Sequence, residues 1–131
     1  MKTNLKLLND LYIIKDILED STSKTMTIQI ELNSTHSIFR GHFPGNPVLP
    51  GVCTVQILKE LLIYQSGKNL HLVKARSIKY LAFINPLKNN VVNFTIHINK
   101  IKNDHLFCDA SIYFNTTVFC SFKGEFMVLA I

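Results

Sequence analysis

The sequence predicts an α+β fold in which an antiparallel sheet wraps around a long, central, apolar helix. Three observations support this fold class: a strictly alternating segment before residue 33, a helical apolar pattern after residue 50, and several segments rich in β-branched and aromatic residues in the second half. With 131 residues, 47% of them hydrophobic, the chain is long enough for one buried core. We therefore expect a single domain over residues 1–131.

The first half begins with a predicted β-hairpin. Residues 24–32, KTMTIQIEL, alternate in polarity, so that Met26, Ile28, Ile30 and Leu32 share one face of a half-buried strand. The preceding segment, LYIIKDILED, is separated from this strand by the polar residues STS. That separation favours the preceding segment as the hairpin partner.

A helix is predicted from Gly51 to the segment QSGKN, where Gly67 stands in the C-cap position. Its apolar residues recur at helical spacing and cover much of the circumference. A helix of this kind must be covered on more than one side, and a sheet is the expected cover. The apolar positions are Val52, Val55, Ile57, Leu58, Leu61 and Leu62.

Four further segments predict a meander of strands. They are HLVKARSIKYLAFIN, which closes at Pro86, then VVNFTIHINKI, LFCDASIYF and TVFCSFKGEFMVLAI, with turns at KND and NT. Alternation within them is imperfect, which indicates one buried and one less buried face. The residues expected on the buried face are Val92, Phe94, Ile96, Ile98, Phe107, Ala110 and Ile112.

Composition argues against several classes of function. The formal net charge is +5, but the basic residues are spread along the chain, unlike the concentrated stripe of a nucleic-acid module. The sequence shows neither a secretory leader nor an apolar run long enough to span a membrane, so we expect a cytoplasmic protein. Cys53, Cys108 and Cys120 lack metal-ligand spacing and fit reduced core thiols. We expect no metal and no cofactor.

One motif carries chemistry: HFPGNPVLPG, from His42 to Gly51. It closely resembles the signature of the hotdog-fold β-hydroxyacyl-acyl carrier protein dehydratases of bacterial fatty acid synthesis, the FabA/FabZ-like family. The hairpin before the motif, the helix after it and the segment YLAFINPL follow in the family's order, so the resemblance covers essentially the whole chain. The motif is specific because each proline and glycine fixes backbone angles at a set distance from the histidine.

The resemblance implies a site and an assembly. His42 falls on the catalytic histidine, and the backbone amides of Gly51 and Val52 fall on the groups that bind the thioester carbonyl. It further implies the hotdog fold, a homodimer with the active sites at the subunit boundary, an apolar tunnel for the acyl chain, and an acyl carrier protein that delivers the substrate. The turn that holds the histidine is formed by Phe43, Pro44, Gly45, Pro47 and Pro50.

The physical chemistry of that reaction agrees with these residue types. Dehydration of a 3-hydroxyacyl thioester removes an α-proton, protonates the departing hydroxyl and stabilises charge on the thioester oxygen. A neutral histidine such as His42 suits the proton transfers. The start of a helix offers unpaired amides and the positive end of a dipole, which suits the oxygen.

The sequence departs from the family at Gln56, where the family has an aspartate or glutamate. An amide forms hydrogen bonds but does not titrate, and losing a general acid or base costs on the order of a hundred- to ten-thousand-fold in rate. Glu60 shares the helix face of Gln56, one turn on, and is expected to face solvent or to pair with Lys59. Cys53 near the helix start is expected to be a core thiol rather than an acyl-accepting nucleophile.

Three functions stay open on the sequence alone. The first is a 3-hydroxyacyl-(acyl carrier protein) dehydratase of fatty acid or polyketide-type lipid biosynthesis, in which Gln56 orients a hydroxyl or a water. The second is a catalytically impaired acyl-binding protein or a partner subunit of an active dehydratase, and the third is an acyl thioesterase. Basic residues near the expected tunnel mouth are candidates for docking the acidic carrier: Lys74, Arg76, Lys79 and Lys88.

Overall fold

The structure, a computed structural model, describes residues 5–40 and 45–129. Within these residues it contains one α-helix, one 3₁₀ turn (Ser37–Phe39) and six strands. The helix is α1 (Gly51–Ser66). The strands are β1 (Tyr12–Asp20), β2 (Thr25–Leu32), β3 (Leu70–Tyr80), β4 (Val91–Lys102), β5 (His105–Phe114) and β6 (Thr117–Val128).

All six strands join one antiparallel sheet in the order β1-β2-β4-β5-β6-β3. The predicted hairpin is confirmed, since β1 pairs with β2 from Tyr12 opposite Leu32 to Asp20 opposite Thr25. The meander is confirmed only for β4 to β6. Because β3 pairs with β6 and not with β4, β3 forms one edge of the sheet and β1 forms the other.

The core lies between the inner face of the sheet and α1. Inward residues of β2, β4, β5 and β6 and the buried side of the helix form a single apolar cluster. The alternation in β2 is confirmed, with Ile28, Ile30 and Leu32 all buried. In β5, however, Cys108 is buried while Phe107 lies on the outer face beneath the Lys100 ammonium, so the expected burial of Phe107 is wrong.

The helix differs in detail from the sequence prediction. Its bounds are as expected, and Gly67 caps its C-terminus with a left-handed φ of 70° while its N–H donates to the Ile63 carbonyl. The expectation of a long, apolar helix is not confirmed, because α1 has 16 residues and buries Thr54 and Glu60. Val52, predicted to be apolar and covered, is 76% exposed in the described chain.

The segment before β1 contributes to the cover of the core. Leu11, which precedes β1, and Tyr12, its first residue, are buried, and the chain just before them lies against the helix. After β3, the chain was predicted to continue as a strand to Pro86, but the strand ends at Tyr80.

Within the described residues, no helix is both long and apolar enough to cross a membrane.

Candidate active site

The start of α1 presents backbone amides without an acidic neighbour in the first turn. Pro50 is the N-cap residue, with extended backbone angles (φ −59°, ψ 141°) and no side-chain capping bond. Its carbonyl accepts hydrogen bonds from the amides of Cys53 (2.9 Å) and Thr54 (3.3 Å). The amides of Gly51 and Val52 precede this first intrahelical bond, so the helix itself supplies no acceptor for them.

The loop that leads into the helix is fixed to the segment that follows β3. The Leu49 amide donates to the Ile84 carbonyl at 2.8 Å, and the Asn85 side-chain amide donates to Asn46 Oδ1 at 3.0 Å. Leu49 is also buried, while Pro47 and Pro50 are half-buried and Gly45 has a φ of +84°. The predicted residues His42, Phe43 and Pro44 lie outside the described residues.

A cavity of about 340 Å³ adjoins the helix start. Its walls are mainly apolar and include Gly51, Val52, Phe83 and Phe119. Tyr80, which was not among the predicted site residues, stands against Gly51: a Cβ placed on that glycine would lie 2.7 Å from the phenol ring. A side chain at Gly51 would therefore displace the Tyr80 ring. Burial raises the pKa of Tyr80, and nearby Cys120 adds to this, so its hydroxyl stays protonated at neutral pH.

Gln56 lies one turn after Val52 and is half-buried. Its Nε2 donates a hydrogen bond to Glu60 Oε2 at 3.0 Å. The two side chains share a helix face, as predicted from their spacing. The amide nitrogen is therefore directed toward the end of the helix, away from the first turn.

The prediction that Glu60 faces solvent or pairs with Lys59 is wrong. Glu60 is completely buried and accepts hydrogen bonds from the Leu7 amide (3.0 Å), the Leu8 amide (2.9 Å) and the Tyr12 hydroxyl (3.0 Å). The N-terminal segment thus covers the helix face that was expected to be open. One signal was visible in the sequence, since Glu60, next to Lys59, is the acidic residue within the otherwise apolar segment from Ile57 to Ile63.

The three cysteines behave as core thiols. Burial raises the pKa of Cys53, so its thiol is protonated at neutral pH despite its position near the helix start. Burial likewise raises the pKa of Cys120, and burial together with Asp109 raises that of Cys108 to about 12. None of the three is in a disulfide. These directions disfavour the Cys53 nucleophile.

Three of the described histidines have side-chain partners away from the helix start, whereas His71 lies exposed on β3. His36 is paired with Asp10, His97 with the Thr25 hydroxyl, and the Nδ1 of His105 with Glu125. Across residues 5–40 and 45–129, His, Cys, Asp and Glu side chains form no group that could hold a metal ion.

Comparison with solved structures defines the class of fold. The chain matches a structure described as the dehydratase heterocomplex ApeI:P from Xenorhabdus doucetiae with a TM-score of 0.65 and 21% identity, over 88% of this chain and 96% of that one. It matches a protein from Erwinia carotovora subsp. atroseptica with the same TM-score and 20% identity, over 91% and 98% of the two chains. These likenesses show the hotdog fold.

Sequence comparison identifies the family. The model of the ApeI-like family, described as ApeI dehydratase, matches residues 18–121. The 3-hydroxyacyl-[acyl-carrier-protein] dehydratase FabZ of Levilactobacillus brevis is 30% identical over 124 residues, which are 88% of this chain and 80% of the relative. The FabZ of Lactiplantibacillus plantarum is 35% identical over 78 residues, which are 54% of this chain and about half (52%) of the relative. The chain therefore belongs to the ApeI-like dehydratases, within the FabA/FabZ-like hotdog family.

Proposed function

We propose that the protein is a 3-hydroxyacyl thioester dehydratase whose substrate is carried on an acyl carrier protein. One observation carries this proposal: in a chain of this family, the helix start at Gly51 opens beside an apolar cavity. Dehydration and a place in fatty acid biosynthesis are the activity and process of the family. The particular substrate and the roles of individual residues are part of the proposal.

In the proposed reaction, His42 removes the α-proton of the thioester and delivers a proton to the departing 3-hydroxyl. The C2–H and C3–O bonds break, the C2–C3 double bond forms, and water leaves, so the histidine ends the cycle in its starting state. The Gly51 and Val52 amides would stabilise the negative charge on the thioester oxygen, a contribution of about 3 kcal/mol for one such donor in other enzymes. Gln56 would orient the hydroxyl or a water.

The acyl chain would lie in the apolar cavity at the helix start. Three exposed apolar side chains line this cavity: Val52, Tyr80 and Phe83. A second protomer would cover them and complete the tunnel, which supports the expected dimer. The proposed unit is one hotdog domain over residues 1–131.

A second candidate is a catalytically impaired subunit that supports an active homologue. Gln56 favours it, because the amide does not titrate and is already bound to Glu60. The structural relative from Xenorhabdus doucetiae is a heterocomplex by its description. In this case the partner would supply the missing acid.

Turnover of a defined substrate separates these candidates. The protein is incubated with a 3-hydroxyacyl thioester of carrier protein and with its 2-enoyl counterpart, while interconversion and free thiol are measured. We expect interconversion that is lost in His42→Ala and kept in the matched control His97→Ala. Thiol release without interconversion would indicate a thioesterase, and inactivity that a homologous subunit restores would indicate the supporting role.

Carrier docking is proposed for the basic residues Lys74, Arg76 and Lys79 of β3 and for Lys88 in the following loop. All four side chains are exposed, and the strand carries no acidic residue. An acidic carrier would bind them through long-range attraction, which salt screens. Replacing them with alanine should weaken carrier binding more at about 0.1 M than at about 1 M salt. An equal loss at both concentrations would contradict this docking surface.

A further inference from the structure

The carboxylate of Glu60 is surrounded by hydrogen-bond donors. Its Oε1 accepts from the Leu8 amide and the Tyr12 hydroxyl, and its Oε2 accepts from the Leu7 amide and from Gln56 Nε2, at 2.9 to 3.0 Å. An ionised carboxylate accepts only, so it satisfies all of these donors. The group is also completely buried, and leaving any one of them unpaired there would be costly.

This arrangement determines the orientation of the Gln56 amide. If the amide were turned over, its carbonyl oxygen would face the Glu60 carboxylate, with two acceptors in contact and no proton between them. The nitrogen must therefore face Glu60, and the oxygen Oε1 faces the other way. Gln56 is thus presented as an acceptor of hydrogen bonds.

We propose that Glu60 is a positioning residue that fixes Gln56 with its carbonyl oxygen available to the substrate hydroxyl or a water, and that Glu60 makes glutamine the compatible residue at position 56. The proposal rests on the proposed function for the identity of the group that Gln56 meets. The hydrogen bond itself is independent of it. Glu60 does not touch the substrate in this scheme and acts through Gln56.

The same geometry bears on restoring the family acid. In Gln56→Glu, two carboxyl groups, one half-buried and one completely buried, would lie about 3 Å apart; this opposes their ionisation together, so at least one carboxyl would have a raised pKa. In the double variant Q56E/E60Q, the amide introduced at position 60 donates to the carboxylate introduced at position 56. The hydrogen bond is thus restored with donor and acceptor exchanged. Gln56→Glu alone is therefore an incomplete test of the missing acid.

The first measurement is the exchange of the Gln56 side-chain amide protons with water, followed by NMR and assigned by the loss of their signals in Gln56→Leu. We expect Glu60→Gln to accelerate this exchange about tenfold, since it replaces a charged acceptor by an amide that binds in either orientation. Tyr12→Phe is the matched control, because it removes another bond to Glu60 and should leave the Gln56 exchange unchanged. Equal exchange in Glu60→Gln and the parent protein overturns the proposal.

The second measurement is the titration of carboxyl groups by ¹³C NMR in Gln56→Glu, which stays informative if Glu60→Gln does not fold. A carboxyl at position 56 or 60 should titrate clearly above the usual glutamate value of about 4.3. Ordinary titration of both groups overturns the proposal.

Turnover adds a readout that a purely structural residue would not give. We expect kcat of Q56E/E60Q to exceed that of Gln56→Glu by about tenfold or more at neutral pH, because the double variant presents an ionised acid that its neighbour does not oppose. A double variant no faster than the single one contradicts the positioning role. If the parent and every variant are inactive on 3-hydroxyacyl thioesters, the proposed function fails, whereas the NMR measurements still decide the role of Glu60.

Discussion

The two glycines at the ends of α1 differ in what a side chain would meet there. Gly67 has a φ of +70° with open space around it, so a side chain there would be strained by the backbone itself. Gly51 has no such backbone angle, but an added Cβ would meet the phenol ring of Tyr80 at 2.7 Å. Since the ring end of Tyr80 is free to move in a side chain that is 55% exposed, this second conflict is easily relieved.

We expect Gly67→Ala to destabilise the protein more than Gly51→Ala. The left-handed backbone should cost Gly67→Ala about 1–2 kcal/mol, whereas Gly51→Ala should stay within about 1 kcal/mol because the helix propensity of alanine offsets the displacement of Tyr80. Urea unfolding measures both free energies. In Gly51→Ala the NMR signals of the Tyr80 ring should shift, and a larger loss of stability in Gly51→Ala than in Gly67→Ala would contradict this account.

At the scale of secondary structure elements, local patterns predicted the strands that have one solvent-exposed face. The period-2 alternation of β2 and the turns before β5 and β6 were found directly, since left-handed residues such as Asn103 and Asn115 occur at the predicted turns. The end of β3 was missed because the apolar segment after Tyr80 covers the cavity as a loop. Its apolar residues therefore gave the same signal as a strand.

The helix pattern overstated how much of α1 is covered. Val52 and Leu61 were equivalent in the sequence, yet the first is 76% exposed and the second is completely buried. We expect Leu61→Ala to lower the free energy of unfolding of the monomer by about 2–5 kcal/mol, by the usual scale of buried leucine loss, and Val52→Ala to change it by less than about 0.5 kcal/mol. Urea unfolding of the two variants at protein concentrations too low for dimers tests this, and similar losses in both monomers would contradict it.

The sequence predicted where the candidate site residues lie on the helix, but it did not predict the contacts of Glu60. The motif and its resemblance placed Gly51, Val52 and Gln56 on the first turns of a helix, and the structure has them there. The contact of Glu60 with Leu7 and Tyr12 joins residues about fifty positions apart. Such a contact depends on how the N-terminal segment crosses the helix, which no local pattern in the sequence specifies.

At the scale of the whole molecule, a buried thiol and a buried phenol that keep their protons make the free energy of unfolding fall at alkaline pH. Burial, and secondarily Asp109, raises the pKa of Cys108 from 9.0 to about 12. The unfolded thiol therefore ionises near pH 9 while the folded one keeps its proton, so its contribution to stability is complete below pH 9 and is lost as the pH rises to about 12. The raised pKa of Tyr12, caused by burial and by Glu60, acts in the same direction.

We expect the free energy of unfolding to fall as the pH rises above about 9, with a slope of up to about 1.4 kcal/mol per pH unit for each such group. Cys108→Ala should have a shallower slope over this range, whatever its stability at neutral pH. Urea unfolding at several alkaline pH values gives the two slopes. Identical slopes would show that Cys108 does not contribute.

The edges of the sheet also differ in charge. The outer strand β3 carries Lys74, Arg76 and Lys79 and no acidic residue, whereas β1 carries charges of both signs. If two copies pair along the edge strand β3, these basic side chains approach their equivalents in the other copy. Like charges along a shared edge oppose pairing, so the same strand that would attract an acidic carrier weakens self-association.

We therefore expect self-association along β3 to strengthen with salt. Between about 0.1 and 1 M salt the Debye length falls from about 10 Å to about 3 Å, which screens the repulsion between the two strands. Sedimentation equilibrium measures the dimer dissociation constant over this range. Lys79→Glu supplies the control, because an acid on the edge replaces repulsion by attraction and should flatten or reverse the salt dependence. A parent dimer that weakens as salt is added would contradict this account. Such a dimer would be held by attraction between opposite charges, which two copies of β3 cannot provide, so its interface would lie elsewhere.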